Sequence, residues 1–237
     1  MMTKLKGKQM TQLQRLGGVA AISEAIIYLS AFIFFGAYWE FPAGADAIQK
    51  FAFLADNQII LSVVHFIIYV LFGLFLAVLV VSIHERLKEK TPALAQLASV
   101  FGILWVGIVI ASGMIYNIGL AAAIKFSVKD PEQAMTVWLT INTVVEGLGG
   151  GNEIVGGLWV LLLSIAALKS KIFSKKLNYL GLFVGLAGIF TVYPAEILTE
   201  VFGLGQLVWF AWLGIIMLKE LTALTAHSGK DTLTHTS

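Results

Sequence analysis

Long apolar stretches with no Lys or Arg in their interiors recur along the whole chain. A run of about 20 such residues matches the roughly 30 Å hydrocarbon core of a bilayer. In that setting the backbone must satisfy its own hydrogen bonds, so each run is predicted to be a helix. The runs cover about Leu16–Trp39, Ile59–Ile83, Leu94–Ile124, a divided stretch from 133 to 168, Leu177–Tyr193 and Val201–Leu218. The expected fold is therefore all-α, with six transmembrane helices in one bundle. Composition agrees: 58% of residues are hydrophobic and 13% charged, against roughly 25% charged in soluble domains.

Three regions follow. Residues 1–15 form a basic cytoplasmic lead, 16–221 the six-helix transmembrane domain, and 222–237 a polar, mobile cytoplasmic tail. The first apolar run is about 23 residues long, longer than the roughly 7–15 of a signal-peptide core, so it reads as a span. Residues 40–57 and Lys125–Glu132 read as polar loops, and His84–Lys90 and Lys169–Lys176 as charged turns. With six spans, 13 of the 16 Lys and Arg residues fall on the side of the termini and only Lys50, Lys125 and Lys129 on the other. Basic residues concentrate on the cytoplasmic side, which predicts that both termini are cytoplasmic.

A net charge of +2 gives no reason to expect a nucleic-acid partner, and the absence of cysteine removes disulfides, thiolate metal sites and cysteine nucleophiles. One span residue, His65, is histidine, and His84, His227 and His235 lie at a boundary or in the tail. A single histidine in the membrane argues against multi-histidine lipid hydrolases and against a haem carrier. No metal, cofactor or catalytic group is expected, and an enzyme is disfavoured.

The stretch Glu146–Glu153 carries the strongest local signal. On a helix two carboxylates seven residues apart lie about 20° from each other, and Asn142 shares their face. Between them Gly149 and Gly150 leave the surface open. Ionisable groups inside a membrane segment cost about 2.5–3.5 kcal/mol each on insertion scales and mark functional positions. Here they are Glu24, His65, Glu146 and Glu153, with Tyr28, Asn117, Asn142, Asn152 and Tyr193 as neutral polar companions. At about 1.5 Å per residue, Glu24 lies roughly 13 Å in from the basic side, and the others gather toward the opposite side. That distribution predicts an outward-opening pocket lined by His65, Asn117, Asn142, Glu146, Glu153 and Tyr193, with Glu24 near its floor. Protonation, a bond to His65 or a tyrosine, or a bound cation would compensate the acids. The glycines of spans four and five read as close helix–helix contacts. Trp105, Trp138, Trp159, Trp209 and Trp212 read as interface anchors or lipid-facing surface ahead of the lining of a lipid-like pocket.

The fourth span, its basic turn and the fifth span carry a family resemblance. An apolar run from Gly156 to Leu168, the turn around Lys169 and Lys171, and a Leu-Gly-rich helix from Leu177 to Gly188 resemble the bacterial membrane family catalogued as domain of unknown function 4386. The resemblance extends from about Leu16 to Leu218. The third span lacks the basic residue expected in closer members. The resemblance implies a multi-pass protein of the bacterial inner membrane and no activity. Beyond the lipid bilayer, two kinds of partner stay open: a small amphipathic or cationic solute that is bound or transported, with or without coupled protons, and another membrane protein met by a structural or regulatory subunit.

Overall fold

The computed structural model describes residues 2–150, 153–193 and 195–234, with side chains for 10–149, 153–193 and 195–220. Gly151, Asn152 and Pro194 lie outside the described residues. Among the described residues all regular structure is helical: α1 (Met2–Ile33), α2 (Ala47–Asp56), α3 (Gln58–His65), α4 (Phe72–Leu87), α5 (Pro92–Ser127), α6 (Pro131–Val145), α7 (Ile154–Ser170), α8 (Lys175–Phe190) and α9 (Glu196–Thr234). Wider π-turns extend α1 over Phe34–Tyr38, join α3 to α4 over Phe66–Leu71, and follow α6 over Glu146–Gly150. The basic lead is thus helical from Met2, and α9 runs on through the polar residues after its apolar segment.

Among the described residues, five segments are long and apolar enough to cross a membrane: Met10–Tyr38, Gln58–Leu87, Pro92–Ser127, Pro131–Ser170 and Glu196–Glu220. The fifth predicted span, α8, has 16 residues, about 24 Å of helix. The outer face of the bundle is apolar: Ile26, Leu74, Ile103, Phe183 and Val208 are all more than half exposed. An apolar belt of this extent is the surface that lipid covers, and the protein is a multi-pass membrane protein.

The long helices close into a ring. α1 packs on α4, α4 on α5, α5 on α7, α7 on α8, α8 on α9, and α9 back on α1. Large rings meet absent side chains inside it. A Cβ on Gly156 of α7 would lie 2.7 Å from the Trp105 indole of α5, and one on Gly102 of α5 would lie 2.8 Å from the Trp159 indole of α7. Each helix thus supplies a gap for the other's tryptophan. Trp105, Trp159 and Trp209 are each 1% exposed, and the first two rings are 5.8 Å apart, as are the last two. Phe72, Phe202 and Phe210 complete this aromatic layer. These three tryptophans therefore fill the core instead of facing lipid or anchoring the interface. Their large apolar area is best buried where glycines admit the rings.

The basic end of the ring is clasped shut. Arg86 of α4 pairs with Glu220 of α9, and its guanidinium carbon lies 4.5 Å over the Phe173 ring in the α7–α8 turn. Gln14 of α1 donates to the Ser82 carbonyl of α4 at 2.8 Å, and Lys90 donates to the Ser170 carbonyl at 3.3 Å.

The opposite end is built differently. The predicted loop 40–57 contains α2, capped by Asp46, whose carboxylate accepts the Gln49 N–H at 2.8 Å. Ala47, Phe51 and Leu54 are its buried face, at helical spacing. α6 starts at an Asp130 cap with Pro131 in its first turn. It packs on the far end of α5, where Tyr116, Leu120 and Ala123 meet Ala134 and Trp138. These elements form a second small core, separate from the core of the ring.

Candidate functional site

A cavity of about 560 Å³ lies between the two cores. Its volume is in the ordinary range for small-molecule sites. Tyr28 and Phe35 of α1 form one wall, Tyr69 and Phe72 another, and Trp138 of α6 a third. Trp105, part of the aromatic layer, lines it on the side of the ring's core. Since α7 begins at the cavity and ends beside Lys169, the cavity occupies the end of the bundle away from the basic clasp.

Two carboxylates reach it. Glu146 follows α6 and is exposed, while Glu153 precedes α7 and is 7% exposed. The helix expected to carry both is broken at Gly149, where the backbone leaves helical geometry (φ 164°, ψ 20°). The two acids nevertheless line the same cavity and lie within electrostatic reach of each other. Glu153 is fixed through its main chain. Its N–H donates to Thr191 Oγ1 at 2.8 Å, and its carbonyl accepts the Gly157 N–H at 2.7 Å. Its side-chain Oε2 is buried and has no hydrogen-bond partner among the described residues. It stands at the N-terminal end of α7, where the helix dipole attracts negative charge.

His65 sits in the wall with its Nδ1 2.8 Å from the Leu61 carbonyl. Because a carbonyl only accepts, Nδ1 carries the proton and Nε2 is left for other partners. Asn142 donates to the Trp138 carbonyl at 2.9 Å, which leaves its side-chain oxygen available to the cavity. No Lys or Arg lines the cavity, and among the described residues no group of three His, Asp or Glu is placed to hold a metal ion.

Of the residues singled out by sequence, His65, Asn142, Glu146 and Glu153 line this cavity, and Glu24, Asn117 and Tyr193 do not. Glu24 is fully buried one helical turn from Tyr28, with neither carboxyl oxygen bonded among the described residues. It and Glu153 are both within electrostatic reach of the Tyr28 hydroxyl. Asn117 donates to the Ser62 carbonyl at 3.4 Å and so ties α5 to α3. Tyr193 is 71% exposed beyond the end of α8: its depth suits the site and its direction does not. Sequence reasoning missed Tyr69 and Tyr116. Tyr69 was accessible from spacing, since it follows His65 by four residues on the same helical face. Tyr116 had no such signal.

No protein-family model matches the chain, and no curated protein or solved structure is similar to it. The functional reading therefore rests on the geometry of this cavity.

Proposed function

We propose that the cavity binds a small organic cation, which it holds by aromatic faces and by the carboxylate of Glu153. The observation that carries this reading is the buried Glu153 Oε2, which has no partner among the described residues, in a cavity walled by aromatic rings and lined by none of the described Lys or Arg residues. Aromatic faces attract cations by about 0.5–2 kcal/mol each, and quaternary ammonium groups suit such cages. A carboxyl that holds a proton when the cavity is empty and a cation when it is filled would couple the two. In this reading α8 is the sixth span, the clasped basic end is cytoplasmic, and the cavity opens outward in a bacterial inner membrane. That location is what a resemblance to the family of unknown function 4386 would imply, and the resemblance implies no chemistry.

The reading of the protein as a structural or regulatory subunit draws support from Asn117 and Gln14, whose bonds to Ser62 and Ser82 link helices. Glu153 makes no such side-chain link through Oε2, which favours the binding role at this position.

Tetramethylammonium is the direct test, with binding read from the fluorescence of the lining Trp39, Trp105 and Trp138. Saturable binding that weakens about 10–100-fold in Glu153→Gln is expected, from the usual strength of a charged contact. Absence of saturable binding to the folded wild-type protein would overturn the reading.

A further inference from the structure

A second cavity, of about 430 Å³, lies between α1 and the start of α9. It shares Tyr28, Ala31, Phe35 and Glu153 with the first, so the two adjoin along these residues. Its remaining walls are Phe32 and Gly36 at the end of α1 and Thr199, Glu200, Phe202 and Gly203 on α9. The lining is largely apolar and, like that of the first cavity, contains no Lys or Arg. Its acids are Glu153 and the exposed Glu200.

The local structure keeps this second space open toward the outer face of the bundle. α1 ends in the π-turn Phe34–Tyr38, and a Cβ added to Gly36 would meet no atom within 4 Å. Phe32 and Phe35 are 37% and 40% exposed and border the space. On α9, a Cβ on Gly203 would lie 3.0 Å from the Phe32 ring, so the missing side chain there lets the ring rest against the helix. Met10–Tyr38 and Glu196–Glu220 are both candidate membrane spans, so the space lies between the neighbouring ends of two helices long and apolar enough to meet lipid.

We infer that the ligand is a cationic amphiphile, with its ammonium head beside Glu153 in the first cavity and its hydrocarbon tail in the second, reached sideways from the lipid. This rests on the proposed binding of organic cations and goes beyond it by naming the class of ligand and the route. Glu153, common to both cavities, marks the joint between head and tail. The tail lies against Phe32, Phe35 and Gly36, and Glu200 borders the route taken by the head.

The test is a series of alkyltrimethylammonium ions from methyl to decyl, measured on the wild-type protein in lipid nanodiscs, with Glu153→Gln as the control for partition into lipid. Affinity above that control rises about three- to fourfold per added methylene until the space is filled, as expected for burial of apolar surface. Gly36→Trp fills the second cavity without touching the first, so it leaves tetramethylammonium affinity unchanged and flattens the series. Gly36→Leu adds a smaller apolar side chain at the same open position and serves if Gly36→Trp does not fold. A wild-type series with no chain-length dependence overturns the inference while leaving head-group binding intact. So does a series whose slope survives the cavity-filling variant. Loss of tetramethylammonium binding itself would instead be a failure of the underlying cation site.

Discussion

The imidazole of His65 lies flat on the phenol ring of Tyr116, with centroids 3.2 Å apart and planes 5° from parallel. The pair joins the helix preceding α4 to α5 and forms part of the cavity wall. Tyr69 stacks against the same imidazole from 5.9 Å, and the Phe35 ring meets it edge-on at 5.9 Å.

His65→Ala should therefore lower stability by about 2–4 kcal/mol, through a lost stack and the void left behind. His65→Phe keeps a flat ring in place and should cost less than about 1.5 kcal/mol. Thermal unfolding in detergent, followed by tryptophan fluorescence, separates the two. Equal losses in both variants would mean that the Nδ1 bond to Leu61, and not the stack, holds this wall.

Gly157 of α7 touches backbone on α8: a Cβ there would lie 2.7 Å from the Gly185 carbonyl oxygen and the Ile189 nitrogen. Backbone cannot rotate away as a side chain can. Gly157→Ala should destabilise the protein by about 1–3 kcal/mol as the helices are forced apart. Gly107→Ala, where a Cβ meets nothing within 4 Å, should be neutral or stabilising by up to about 1 kcal/mol. The readout is the difference in melting temperature between these two single-methyl additions.

Much of the bundle was legible because its cause is local. Runs of apolar residues free of Lys and Arg place α1, α4, α5, α7 and α9 close to where they occur. The end around the cavity was harder. Asp46 with Ala47, Phe51 and Leu54 does encode α2, but Pro42, Gly44 and the flanking acids made the segment look like a loop. Direction was the other gap. Depth along a helix follows from residue count, so Tyr193 and Asn117 fall at the right level. Which face meets the cavity depends on neighbours far away in sequence, as with Trp105, whose inward position needs Gly156 on another helix.

Glu24 is fully buried, and its carboxyl oxygens have no hydrogen-bond partner among the described residues. Replacing an unsatisfied buried polar group with an apolar one of similar size removes its desolvation cost, about 1–3 kcal/mol. Glu24→Leu should thus hold or raise the melting temperature while leaving tetramethylammonium affinity within about threefold, a change of less than about 0.7 kcal/mol. A marked fall in melting temperature would show that the carboxyl supports the helix packing.

Arg86 ties three elements together, through Glu220 on α9 and Phe173 after α7. Arg86→Ala should lower stability by about 1 kcal/mol, since Glu220 is 44% exposed and the pair is partly screened. Binding in the distant cavity should be unchanged. Thermal unfolding together with a tetramethylammonium titration checks both statements.

The tilted and edge-on indoles of the ring's core, of which Trp105 lines the cavity, also bear on traffic. Trp105, Trp159 and Trp209 interlock with glycines on facing helices, so none can swing aside without its neighbours shifting too. If the cavity binds as proposed, a solute resting above them would occupy a blind vestibule and leave by the side or mouth through which it came. Passage to the far compartment would demand a concerted sliding of α5, α7 and α9, a motion that cross-linking α5 to α7 would arrest while still permitting occupancy.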